Sequence, residues 1–244
     1  MTRLICYNLL LIPFFTGAEN FSPIGTFSIV ARDPQSGEIG VAVQSKFVAV
    51  GAVVPYAMAG VGAIATQAWG NPRYGPVGLG LLESGKSAKE TIEILTHADP
   101  MHQHRQLGIL PVQGTPYSFT GSKCMAWAGG KTGENFTVQG NILKGAEVVE
   151  QMAYSFEDFN GTLAERMLAA LEAGQRAGGD KRGRQSASLL VVREGWGYSG
   201  LNDRFRDIRV DDHTQPIIEL KRIYRLHRKI FPRPKNNSAK NILR

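Results

Sequence analysis

The side chains able to do chemistry gather where short, glycine-bounded strands end. Thr26 follows Gly25 and starts the first such strand. Ser45-Lys46 closes the second, Thr66-Gln67 a later one, and Trp69-Gly-Asn71 comes directly after. Gly178-Gly-Asp-Lys-Arg-Gly-Arg-Gln-Ser186 carries Asp180, Gln185 and Ser186 into the last strong strand. Gly195-Trp-Gly-Tyr-Ser-Gly-Leu-Asn-Asp203 ends on Asn202 and Asp203, and Asp211-Asp-His213 follows. Loops at strand ends on a rigid scaffold are where active sites are built. Hydroxyls, amides, carboxylates and one ammonium suit a small polar substrate. Ser45, Gln67, Asn71, Gln185, Asn202 and Asp203 are the candidates for holding it.

Other chemistries lack their residues. There is no Gly-x-x-x-x-Gly-Lys-Ser/Thr phosphate loop, and Gly60-Val-Gly62 has neither the third glycine nor the helix of a dinucleotide site. There is no Gly-x-Ser-x-Gly elbow. His102 and His104 are the one close histidine pair, without the further ligands a metal needs. No cofactor and no metal is therefore expected. Two cysteines, Cys6 and Cys124, make no disulfide framework, and Cys124 reads as a small buried apolar residue.

The elements that must position these residues follow from periodicity. Thr26–Asp33 alternates, Pro34–Gly37 is a turn and Ile39–Ser45 a second strand, giving a hairpin. Ala49–Val54 and Val61–Gln67 read as buried strands. Helices follow near Val77 and after Ser87, where Glu90 completes a capping box. Strands return at Gln106–Val112 and Tyr117–Gly121. A second helical pair carries Val148, Met152 and Phe156, then Leu163, Met167 and Leu171, with Thr162 as the second cap. Ser186–Arg193 is a strand and Ile217–Ile230 an amphipathic helix. Strand runs joined by short turns imply antiparallel sheets. The expected class is α+β: a four-layer αββα sandwich, two stacked sheets each covered by a helix pair, in one domain over residues 26–230.

Charge is unevenly placed. The 244 residues carry a net +7, yet Lys221 to Arg244 holds nine Lys or Arg and no acid. Residues 1–220 have 19 basic and 21 acidic groups, a net of −2. The stretch 231–244 reads as a disordered basic tail that can be removed without loss of fold. No aromatics interleave with its charges as base-stacking would need, so no specific nucleic-acid partner is expected. Nothing after the first twenty residues is long and apolar enough to span a membrane. Residues 1–18 have a secretory layout: Arg3, an apolar run from Leu4 to Phe15, and Thr16-Gly-Ala18 at the cleavage position. Secretion or a periplasmic location is the expectation, with the cytoplasm as the alternative and residues 19–25 left as a short pro-segment or linker.

Thr26-Phe-Ser-Ile-Val-Ala-Arg-Asp33, Gly40-Val-Ala-Val-Gln-Ser-Lys-Phe47, Ala65-Thr-Gln-Ala-Trp69 and Gly178 to Ala187 closely resemble an uncharacterised family, domain of unknown function 1028, placed in the N-terminal-nucleophile (Ntn) hydrolase superfamily. The resemblance spans about residues 26–229 and implies the same αββα fold. It also implies an amidohydrolase in which Thr26 becomes the first residue of the mature chain. Its hydroxyl would attack a carbonyl and its own α-amine would act as base. Lys46 would tune the nucleophile from across the hairpin, and Asp180 with Ser186 would support the amine. The chain departs from that pattern in one respect: Thr26 is internal, and removal of residues 1–18 leaves Glu19–Gly25 ahead of it. Plainer readings stand beside these: Thr26 as an ordinary strand residue, Lys46 and the 180–184 charges as solvated. A non-catalytic ligand-binding module lined by Trp69, Tyr74 and Trp127 is the alternative function. A homo-oligomer joined through sheet edges or helix pairs is the third.

Overall fold

In the computed structural model, which describes residues 25–234, the first hairpin sits at the middle of a six-stranded sheet. β1 (Thr26–Asp33) pairs with β2 (Glu38–Ser45) on one side and β8 (Phe136–Asn141) on the other. β9 (Ser186–Val192) and β10 (Arg204–Val210) extend the β2 side, and β7 (Gly129–Thr132) closes the β8 side. The second sheet is β3 (Pro55–Met58), β4 (Gly62–Ala68), β5 (Arg105–Pro111) and β6 (Tyr117–Thr120), in that order. Every pairing of these strands is antiparallel. Side chains on a strand alternate between two faces, and both faces of the central strands are buried here.

Three apolar clusters define the layers. Phe27, Ile29 and Leu189 pack outward on α3 (Glu147–Asp158), α4 (Leu163–Arg176) and α5 (Pro216–Ile230). Val30, Val41, Val43 and Leu190 pack inward on Ala63, Ala65 and Leu110 of the second sheet. Ile64, Leu107 and Ile109 pack outward on α1 (Tyr74–Glu83) and α2 (Ala88–His97). The result is a mixed α+β sandwich of two antiparallel sheets with helices on the outer faces. Both capping boxes, Ser87 with Glu90 and Thr162 with Glu165, form as expected. α1 lies close on its sheet because Gly75 faces the Tyr56 ring, where a Cβ would come within 2.2 Å.

Several elements differ from the sequence expectation. Ala49–Val54 is no strand. Ala49 takes φ 53° and opens a 3-10 turn at Val50–Ala52, because Ser186 Oγ accepts the Val50 N–H and draws the chain down. β3, β7, β8 and β10 are strands that the periodicity does not announce. β8 reads Phe-Thr-Val-Gln-Gly-Asn, polar on the face that looks between the sheets, so it lacks an apolar signature. The start of the supposed loose tail is anchored. Arg206 donates to Phe231 O at 2.8 Å, and Arg233 meets the buried Glu38 at 2.6 Å. The expected leader (1–18), pro-segment residues 19–24 and tail residues 235–244 lie outside the described residues.

Candidate functional site

Strand register brings one row of polar side chains across the end of the first sheet. Thr26 opposes Ser45 on β2 and Asn141 on β8, and Ser45 opposes Ser186 on β9. Directly opposed residues share a face, so the row Ser186–Ser45–Thr26–Asn141 looks between the sheets. All four are buried. The half of the inter-sheet layer behind this row is polar. Gln67 accepts from Ser28 at 2.5 Å and donates to Gln106 at 2.8 Å. Gln139 donates to Ser28 at 2.6 Å, and Asn141 to Gln106 at 3.1 Å. Buried amides stay in such a layer only because they satisfy one another.

The peptide carbonyl just before Thr26 is gripped from two sides. Ser45 Oγ donates to Gly25 O at 2.5 Å and the Arg182 guanidinium donates to it at 2.8 Å. Thr26 Oγ1 in turn donates to Ser45 Oγ at 3.2 Å. Arg182 is itself fixed by the buried Asp180 carboxylate, at 2.6 and 3.0 Å. Asp180 also accepts the backbone N–H of Lys46 at 3.1 Å and that of Arg182 at 2.9 Å. A Cβ added to Gly25 would lie 3.0 Å from both Asp180 oxygens and 2.9 Å from Ile142 Cβ. A hydroxyl, a doubly hydrogen-bonded carbonyl and a paired carboxylate thus converge on one peptide bond. Donors placed on a carbonyl oxygen stabilise the negative charge that forms when its carbon is attacked.

The other candidates fall into four groups. Gln67 is part of the site and also donates to Thr26 O at 3.4 Å. Lys46 and Ser186 are near the site but do other work. Hairpin register sets Ser45, not Lys46, opposite Thr26, and the Lys46 side chain is exposed. Ser186 Oγ donates to Phe47 O and accepts from Val50 N, pinning the turn after β2. Gln185 lies at the same end. Its side chain reaches Asp212 at 3.2 Å, and its backbone N–H donates to the Ser45 carbonyl at 3.0 Å, continuing the β2–β9 ladder by one residue. Asn202 and Asp203 sit at the far end of the sheet, where Arg204 pairs with Val192, roughly 20 Å from Thr26 at ~3.3 Å per strand residue. There they shape a turn: Asp203 accepts the Gly195 N–H at 2.8 Å and Asn202 the Arg204 N–H at 3.0 Å. They hold no place in a site built on Thr26.

Asn71 belongs to a neighbouring knot that sequence reasoning missed. Asp99 accepts from Tyr74 Oη at 2.8 Å, Arg105 Nε at 2.9 Å, Asn71 Nδ2 at 3.3 Å and the Met101 N–H at 2.8 Å. Burial opposes the charge on Asp99, but the Arg105, Tyr74, Met101 and Asn71 bonds outweigh it and hold the carboxyl well below the usual range. Burial first, then the Asp99 bond, pushes the Tyr74 hydroxyl far up. Arg105 also reaches Trp69 O, so the knot ties the β4–α1 loop to the start of β5. Asn141, Gln106, Gln139, Arg182 and Ser28 are the other omissions. Arg182 stands in a run that reads as solvated, and Ser28 in a strand whose alternation shows no sign of a polar partner. Cys124 is half-buried, its thiol pushed up mainly by burial and donating to Arg105 O at 3.3 Å.

The class defined by fold and site is an α+β sandwich of two antiparallel sheets, with a polar cluster where the inter-sheet layer meets the strand ends. The chain belongs to the DUF1028 family, described as a family of unknown function, whose model matches residues 26–220. It is similar to the crystal structure of a protein from Silicibacter pomeroyi that carries the same family model. That likeness has a TM-score of 0.77 and 29% identity, and it covers 84% of this chain and 89% of the other. No curated protein matches the chain.

Proposed function

We propose that the protein is an Ntn-type amidohydrolase on the αββα fold of that superfamily, acting on a small amide or peptide-like bond, with Thr26 as its nucleophile. The observation that carries the reading is the Gly25 carbonyl, held by Ser45 and Arg182 while Thr26 Oγ1 bonds to the same serine. In the intact chain this arrangement suits attack of Thr26 Oγ1 on the Gly25 carbonyl carbon. The new C–O bond replaces the Gly25–Thr26 C–N bond, and the hydroxyl proton passes to the departing nitrogen. Water then cleaves the ester, releasing the Gly25 carboxylate and restoring the hydroxyl beside a free α-amine. That amine is the base the mature enzyme needs. Ser45 and Arg182 then serve as donors to the carbonyl of an incoming amide. Ser45 takes the place beside the nucleophile that the sequence suggests for Lys46, and Asp180 acts by orienting Arg182.

The test is the N-terminal residue and intact mass of the protein from its natural host, followed by treatment with a threonine-directed electrophile. A chain that begins at Thr26 and is labelled there supports the enzyme. A second reading, a non-catalytic ligand-binding module, is favoured by the complete burial of Thr26 and by the outward Lys46 side chain. A mature chain that retains Gly25, or a free Thr26 that resists the electrophile, selects that reading.

A further inference from the structure

We propose that the C-terminal end of α5 and the 195–203 loop form a docking surface for an anionic lipid bilayer. The inference is independent of the catalytic reading. Large apolar side chains are exposed on these two segments: Tyr198 at 70%, Leu201 at 64%, Ile230 at 60% and Leu226 at 52%. The loop and the helix end adjoin one another. The Tyr198 and Phe231 rings are 6.1 Å apart, and both residues line, with Trp196, Phe205 and Ile230, an open cavity of about 300 Å³. Isolated exposed apolar residues are ordinary, but a contiguous group marks a contact surface.

Charge selects the occupant. The sequence from Lys221 to Arg244 has nine basic residues and no acid, against a net −2 for the rest. On α5, Arg222 pairs with Glu219 and Arg228 with Glu165, whereas Arg225 and Lys229 are exposed and in no salt bridge among the described residues. The acids of the adjoining hairpin are partly spent: Asp207 pairs with Arg204 and Asp203 holds the Gly195 N–H, leaving Glu194 exposed. A helix that shows aliphatic side chains flanked by Lys and Arg, with a tyrosine at its margin, has the make-up of an interfacial membrane helix. Basic residues are attracted to anionic headgroups while the apolar ones enter the acyl boundary. A second copy is disfavoured, since a two-fold contact would set one basic face on another. The α5 N-terminus adjoins the Thr26 end of the sheet, through the Gln185–His213 backbone bond, and its C-terminus the opposite end. Docking by the C-terminal end therefore leaves the candidate site facing away from the bilayer.

The experiment mixes the full chain with vesicles of phosphatidylcholine alone or with phosphatidylglycerol added, and reads co-sedimentation and amide hydrogen exchange. Expected are at least about tenfold stronger binding to the anionic vesicles, weakening with salt, and new exchange protection over residues 198–201 and 225–231. L226S/I230S and R225E/K229E, all exposed positions, should each lower anionic-vesicle binding about tenfold while circular dichroism stays unchanged. Equal binding to neutral vesicles, or vesicle binding without protection of those two segments, would overturn the proposal. So would a concentration-dependent dimer that L226S/I230S abolishes, which would mean that a second copy covers the face.

Discussion

At the residue scale, the site turns on the Gly25 carbonyl, which Ser45 and Arg182 hold while the Thr26 hydroxyl bonds to that serine. Thr26→Ala removes a single hydroxyl that donates to Ser45, so stability should change by no more than ~0.5–1.5 kcal/mol. On the proposed hydrolase reading, cleavage at Gly25–Thr26 and turnover should both vanish in this variant, as intact mass and an amide-hydrolysis assay would show. Thr26→Ser should keep part of both, because the hydroxyl and the amine remain. Arg182→Ala should behave differently. It strips a carbonyl donor and also leaves the fully buried Asp180 carboxylate with backbone donors alone. Removing one partner of a buried ion pair costs roughly 3 kcal/mol, so denaturant unfolding should separate this variant clearly from Thr26→Ala. Equal stability of the two would mean that Asp180 is not held through Arg182.

At the scale of elements, the knot around Asp99 fixes how α1 and α2 meet β5. Its carboxyl is held below the usual range, so the folded state binds its proton less readily than the unfolded chain does. The contribution is complete above the unfolded carboxylate value of about 3.9 and is lost as pH falls below it. Tyr74→Phe removes one bond to that charge and should cost about 1.5–3 kcal/mol near neutral pH. Asp99→Asn should be less stable at pH 7 and should flatten the acid limb of stability against pH below about 5. Thermal unfolding across that range checks both, and an unchanged acid limb in Asp99→Asn would place the acid sensitivity elsewhere.

Across the whole molecule, the segment after α5 is a latch on the first sheet. Glu38 is buried at the start of β2, where burial pushes its carboxyl up and Arg233 pulls it back. Arg193 and Arg233 both face the Trp196 ring, at 3.6 and 5.5 Å, and Arg206 lies over Phe205 while bonding Phe231 O. Truncation after Pro234 should leave the melting temperature unchanged. Truncation after Ile230 removes Arg233 and Phe231, and a loss of roughly 3 kcal/mol corresponds to a drop of about 6–12 °C in a chain of this size. Equal melting of the two truncations would show that the latch contributes nothing.

Local sequence was enough for features that short-range physics decides. Ser87 with Glu90 and Thr162 with Glu165 cap their helices through bonds three residues apart, and Pro34–Gly37 turns β1 into β2. The order of strand and helix runs pointed to stacked antiparallel sheets, which the two sheets and their helices match. The interior of the site was beyond it. β8 is polar on its inward face, and only the opposing sheet, which supplies Gln67 and Gln106, makes that polarity satisfiable. Asp180 and Arg182 look like solvated charges in a glycine-rich run until the fold carries them to Gly25, 157 residues away from Arg182 along the chain. Which residue faced Thr26 depended on hairpin register, and a one-residue difference replaced the side chain of Lys46 with that of Ser45. Propensity, capping and turns act over a few residues and are written in order along the chain. Register between strands and the pairing of buried polar groups depend on partners far apart in sequence, and the packed structure alone brings them together.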